Sequence, residues 1–65
     1  MIVVLNGAEV EVPEGLSVGE LVRVSGAPAQ GVAVAVDGQV VPASHWGDGL
    51  RGGSVVEVLT AVQGG

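Results

Sequence analysis

The sequence contains no cysteine, no phenylalanine, no tyrosine and no lysine, and a single histidine. Without cysteine there is no disulfide framework, no thiolate metal site and no thiol nucleophile. One histidine without a cysteine partner cannot build the usual nitrogen and sulfur zinc shell, so no metal site is expected. Positive charge is equally scarce. Arg23 and Arg51 face seven acidic residues, for a formal net charge of −5. A surface of that sign repels phosphate backbones, which excludes nucleic acid and anionic membranes as partners. A partner with a basic groove suits it better, and long-range attraction would then speed encounter more than it tightens binding. No apolar run approaches the roughly 20 residues that span a bilayer, and no basic segment with a signal-length apolar stretch opens the chain. A cytoplasmic location is therefore the expectation.

Catalytic machinery is missing as well. There is no glycine-rich phosphate loop with a lysine, no pair of carboxylates at an evident catalytic spacing, and His45 has no serine or cysteine arranged around it. The chain is not expected to be an enzyme. At 65 residues it has room for one domain, and a chain this short buries only about 60% of the surface its unfolded form exposes, so a deep substrate pocket is not expected. The predicted organisation is a single domain over residues 1–62 followed by a flexible tail, residues 63–65.

What is present is aliphatic. The composition is 48% hydrophobic with Trp46 as the only aromatic residue, and the abundance of branched valine favours strands over helices. Residues 2–5 are apolar, Asn6-Gly7 follows, and Val10 and Val12 alternate with Glu9 and Glu11, which predicts a hairpin closed by a type I′ turn. Ser17 and Glu20 form a capping-box pair at a helix start, with Val18, Leu21 and Val22 on one face and Gly26 and Pro28 at the end. Val32 to Val36, Asp37-Gly38 and Val40-Val41 predict a second hairpin, stopped by Pro42. Residues 43–53 read as a connecting loop with one irregular turn carrying Trp46. A last strand runs from about Ser54 to Thr60 or Val62. His45 is read as an ordinary loop position and Trp46 as a cover for the core edge.

The fold class that follows is α+β: a mixed four- to five-stranded sheet with one helix across one face and the last strand paired centrally against the first. Period-2 alternation turns Val3, Leu5, Val10, Val12, Val34, Val36, Val56 and Val58 towards the helix. Their neighbours Ile2, Val4, Ala33, Ala35, Val55, Leu59 and Ala61 then make the open face unusually apolar, interrupted by Glu9, Glu11 and Glu57. A patch of that kind is a candidate partner-binding face.

The chain finishes on Gln63-Gly64-Gly65. Glycine has no Cβ and accepts almost any backbone angle, so such a tail can thread a narrow channel up to its last atom. A carboxylate is a poor electrophile at neutral pH, so acyl chemistry at Gly65 would need activation by a separate enzyme, most simply with ATP, through an acyl adenylate.

Several segments together resemble a known family. They are Ile2-Val3-Val4-Leu5-Asn6-Gly7, Ser17-Val18-Gly19-Glu20-Leu21, Val32-Ala33-Val34-Ala35-Val36-Asp37-Gly38, Val41-Pro42 followed by Trp46, and Val56 through Gly65. The chain resembles the ThiS family, the sulfur carriers of thiamine biosynthesis, which have the ubiquitin-like β-grasp fold. The resemblance implies that Gly65 is adenylated by the E1-like enzyme ThiF and converted to a thiocarboxylate with sulfur derived from a cysteine desulfurase. It further implies that the thiazole synthase ThiG accepts that sulfur. No cofactor would be bound permanently, and ATP would be consumed by the activating enzyme. Two features depart from the family pattern: the loop Leu50-Arg51-Gly52-Gly53-Ser54, and Gly19 inside the helix, at a cost of up to about 1 kcal/mol against alanine. The alternatives are a carrier for molybdopterin or tRNA thiolation, a ubiquitin-like protein modifier, and a plain interaction domain.

Overall fold

Two Asx-Gly pairs set the geometry of the sheet. Asn6 and Gly7 take φ angles of 49° and 85°, and Asp37 and Gly38 take 51° and 85°. Two consecutive positive φ angles are the signature of a type I′ turn, whose twist matches that of the strands it joins. The first turn pairs β1 (Ile2–Leu5) with β2 (Ala8–Glu11), and the second pairs β3 (Val32–Val36) with β4 (Gln39–Val41), both antiparallel. Between the hairpins lies the helix α1 (Val18–Val24), and β5 (Val55–Thr60) closes the order. These elements belong to a computed structural model that describes residues 1–28 and 31–60.

The strand order is β2-β1-β5-β3-β4. β5 is thus central, parallel to β1 and antiparallel to β3. This mixed sheet with one helix across it is the ubiquitin-like β-grasp fold that the sequence predicts. Val3, Val34, Val56 and Leu21 are the largest fully buried side chains, and Val12, Val18, Val22, Leu50 and Val58 complete the core. Leu5, Val10 and Val36 pack against it half-buried. The alternation therefore assigned the helix-facing side correctly. Val12 lies just beyond β2, yet its N–H still donates to the Met1 carbonyl at 2.8 Å and continues the ladder.

The helix has only seven residues, too few to persist alone in water, so its ends and its packing decide whether it forms. All four N–H groups at its start are paired. Ser17 N–H donates to Glu20 Oε1 at 3.0 Å, and Glu20 N–H donates to Ser17 Oγ at 3.2 Å, the predicted capping box. Val18 N–H donates to the Asp48 carbonyl at 3.1 Å and Gly19 N–H to the Trp46 carbonyl at 2.8 Å. The segment 43–53 is therefore more than a connector. It forms a 3₁₀ turn at Ala43–His45 and docks its backbone on the helix N-terminus, while Leu50 enters the core.

That docking gives Gly19 a different meaning from the helix cost expected of it. A Cβ at position 19 would stand 3.3 Å from the Trp46 carbonyl oxygen and 3.5 Å from its Cβ. Glycine permits the close approach that the Gly19 to Trp46 hydrogen bond requires. The departure at Leu50 to Ser54 has a similar explanation. Gly53 adopts a φ of 87° and donates to the Ile2 carbonyl at 2.7 Å, and buried Ser54 accepts from Arg51 N–H through Oγ at 3.3 Å. The turn delivers the chain into the centre of the sheet.

Candidate functional site

Gln63, Gly64 and Gly65, together with Ala61 of the candidate face, lie outside the described residues. The site can be built up to Thr60, the last described residue of β5. What the fold supplies is a firmly held β5, the strand that leads towards those residues. Val4 N–H donates to the Ser54 carbonyl and Asn6 N–H to the Val56 carbonyl, both at 2.9 Å, which are the backbone rungs of the parallel pair. The side chain of Asn6 then adds a further rung. Its Oδ1 accepts Val58 N–H at 2.8 Å, and its Nδ2 donates to the Val58 carbonyl at 3.3 Å. A primary amide presents the same acceptor and donor as a peptide, so it extends the ladder after β1 has turned away.

Asp37 does the corresponding work at the other end of β5. Its N–H donates to the Val55 carbonyl at 2.8 Å, and its Oδ1 accepts Val55 N–H at 2.9 Å. Both residues chosen for their turns thus also grip the central strand. Sequence pattern alone identified the turns and missed the grips, because the partners lie far along the chain.

The open face carries Ile2 and Val4 of β1, Val55 and Leu59 of β5, and Ala33 and Ala35 of β3, as the register requires. Ile2 is 52% exposed, Val55 47% and Leu59 63%. Ala33 is exposed, while Val4 and Ala35 are half-buried. Val40 belongs to the same face, since it pairs with Ala35 across the second hairpin, and at 76% it is the most exposed large apolar side chain described. It was absent from the predicted set. The two-residue turn at Asp37-Gly38 fixes that register, so its position was available from the sequence.

Three carboxylates share this face. Glu9 and Glu11 stand on the edge strand β2, opposite Val4 and Ile2. Glu57 stands at the centre, on β5 between Val55 and Leu59, with small Ala35 directly across from it. Among the described residues no cation lies within salt-bridge distance of any of the three. The face is apolar with purely negative inserts.

The opposite side of the molecule carries a shallow groove of about 410 Å³ lined by Ser17, Gly19, Glu20, Arg23, Ala27 and Trp46. The indole of Trp46 is half-buried and donates through Nε1 to the Val41 carbonyl at 3.1 Å. The Glu20 carboxyl is held below its ordinary range, first by the Ser17 backbone N–H, then by the Ser17 hydroxyl and the Arg23 charge. This is a capping interaction. His45 Nδ1 lies 3.4 Å from Asp48 Oδ2, both well exposed. Among the described residues there is no group of three potential metal ligands, and no helix is long and apolar enough to cross a membrane.

The model of the ThiS family matches residues 3–65. The crystal structure of the thiamine biosynthesis protein (ThiS) from Geobacter metallireducens superposes with a TM-score of 0.82 and 30% sequence identity, covering 100% of both chains. No curated protein matches the chain.

Proposed function

The chain belongs to the ThiS family, and from that membership we propose that it is a sulfur carrier of thiamine biosynthesis, with the carboxylate of Gly65 as its working group. The observation that carries this reading is the family match, which runs through Gly64 to Gly65.

The chemistry begins with an unreactive group. An oxygen of the Gly65 carboxylate attacks the α-phosphorus of ATP, pyrophosphate leaves, and an acyl adenylate forms. An E1-like adenylating enzyme, ThiF, supplies this step. A persulfide charged through a cysteine desulfurase then displaces AMP through its terminal sulfur, so that the acyl C–O bond to phosphate breaks and a C–S bond forms. A thiol cleaves the resulting acyl disulfide, leaving a disulfide behind and releasing the thiocarboxylate. The resulting thiocarboxylate gives its sulfur to the thiazole synthase ThiG. The carrier's own part is presentation: Asn6 and Asp37 fix β5 in the sheet, and the glycines after it enter each enzyme's channel.

The open face of Ile2, Val4, Ala33, Ala35, Val55 and Leu59, with Val40 added and Ala61 as the sequence pattern assigns it, docks on those enzymes. Apolar area of that kind on a small protein usually serves association. Leu59→Glu, which would carry a charge into the interface, weakens docking on both enzymes.

Thiazole synthesis in a reconstituted system tests the assignment. Sulfur from the thiocarboxylated chain is expected in thiazole phosphate, in the presence of the synthase. Delivery instead to a molybdopterin precursor or to tRNA would reassign the pathway. Branched Gly65 peptides on lysines of other proteins would make the chain a protein modifier.

A further inference from the structure

The open face is apolar, but its centre is a carboxylate. Glu57 lies on the middle strand of the sheet, flanked along β5 by Val55 and Leu59 and across the ladder by Ala35. The alanines beside it are too short to screen it. The only two cationic side chains of the sequence, Arg23 and Arg51, sit on the helix and in the loop before β5. Neither pairs with Glu57. While the face is open to water, an exposed carboxylate costs little. Once a partner covers the surrounding apolar surface, Glu57 is stripped of water, and a buried carboxylate without an opposite charge is strongly unfavourable.

Building on the docking role of this face, we propose that the surface it receives is apolar with one guanidinium or ammonium group placed over Glu57, and that this pair sets partner choice. A second copy of this chain does not meet that description. A two-fold contact through the same face brings like surfaces together, and every charge on this one is negative, so Glu57 and the edge carboxylates oppose one another. The same residue that selects a cationic partner keeps the apolar face from pairing with itself.

Position predicts two kinds of kinetic effect. Glu57 is central, where loss of a desolvated charge pair appears in the dissociation rate. Glu9 and Glu11 are on the edge strand, where charge acts mainly on the association rate and its salt dependence.

The test uses the full chain and its adenylating enzyme from the same organism, with binding followed by surface plasmon resonance. Glu57→Gln is expected to speed dissociation on the order of 10-fold or more, and Glu57→Lys on the order of 100-fold or more. Glu9→Gln and Glu11→Gln should slow association and flatten its salt dependence with little change in dissociation. Glu14→Gln removes the same charge outside the sheet and should leave dissociation unchanged. Wild-type dissociation rates for both Glu57 variants would overturn the proposal, as would wild-type self-association through this face in sedimentation. Thiocarboxylate formation by the wild-type chain is measured in parallel. If it proceeds while the Glu57 variants bind normally, the pairing inference alone falls. If wild type neither binds nor reacts, the carrier reading falls and takes this inference with it.

Discussion

Asn6 performs two tasks whose energies can be separated by substitution. Its positive φ closes the first hairpin, and its amide pairs with Val58, which is 52 residues away in sequence. Asn6→Gly keeps the turn and loses the pairing, at an expected cost of about 1–3 kcal/mol. Asn6→Ala also loses the pairing, and its Cβ, without the polar group that lets asparagine tolerate the left-handed region, leaves it about 1–2 kcal/mol below the glycine variant. Urea unfolding should therefore rank wild type above the glycine variant and the glycine variant above the alanine variant. Equal stability of the two variants would remove the backbone share. Gly19 offers a second contrast. Alanine in an exposed helix is worth about 1 kcal/mol over glycine, but here its Cβ would press on the Trp46 carbonyl at 3.3 Å. Gly19→Ala should bring no gain in stability and should shift the emission of Trp46, the only tryptophan. A gain of the full propensity difference with unchanged emission would contradict the contact. These two residues mark what sequence could reveal. Asn-Gly is a local signal, legible in two letters, whereas the grip on Val58 and the approach to Trp46 exist only after the chain has folded.

At the scale of elements, the short helix depends on its first turn. Ser17 and Glu20 were legible as a capping box because the motif lies within four residues. The remaining N-terminal donors, on Val18 and Gly19, are satisfied by carbonyls of Asp48 and Trp46, and a stretch rich in glycine and serine gives no sign of that in its composition. The strands were legible for the opposite reason. Alternation and the two Asx-Gly turns fix faces and register together, and Val40 shows that the register carried further than the apolar pattern alone. Glu20 makes the cap sensitive to pH. Its carboxyl is held below the ordinary range in the folded chain by Ser17 and Arg23, so the folded state binds its proton less readily than the unfolded state. The stabilisation is fully present above the ordinary glutamate range and is lost as pH falls through the lowered folded value. Glu20→Gln can still close the box and cannot titrate. Thermal unfolding midpoints from neutral to acidic pH should fall less in Glu20→Gln than in wild type, while identical profiles would show that the cap carries no pH dependence.

For the whole molecule, one arrangement relates fold to use. A small β-grasp domain of this length holds on the order of 3–10 kcal/mol of stability, and among the described residues no helix packs on the open face of its sheet. The strand that runs through the middle of that face is also the strand that leads to the tail. The proposed docking face and the proposed working group thus belong to one strand: β5 carries Val55 and Leu59 and is described up to Thr60. The sequence made the open face legible through the period-2 pattern of β5. It could not reveal how Asn6 and Asp37 secure that strand, since both grips are long-range. Net charge of −5 acts at the same scale and favours encounter with a basic surface. The central claim concerns the last atom group of the chain, and the most direct measurement is intact mass after incubation with the adenylating enzyme, ATP and a sulfur source. The account predicts a gain of about 16 Da, one oxygen replaced by sulfur, in the full-length chain and none in a chain lacking Gly65. An unchanged mass with an enzyme that adenylates another carrier, or an equal gain without Gly65, would contradict it.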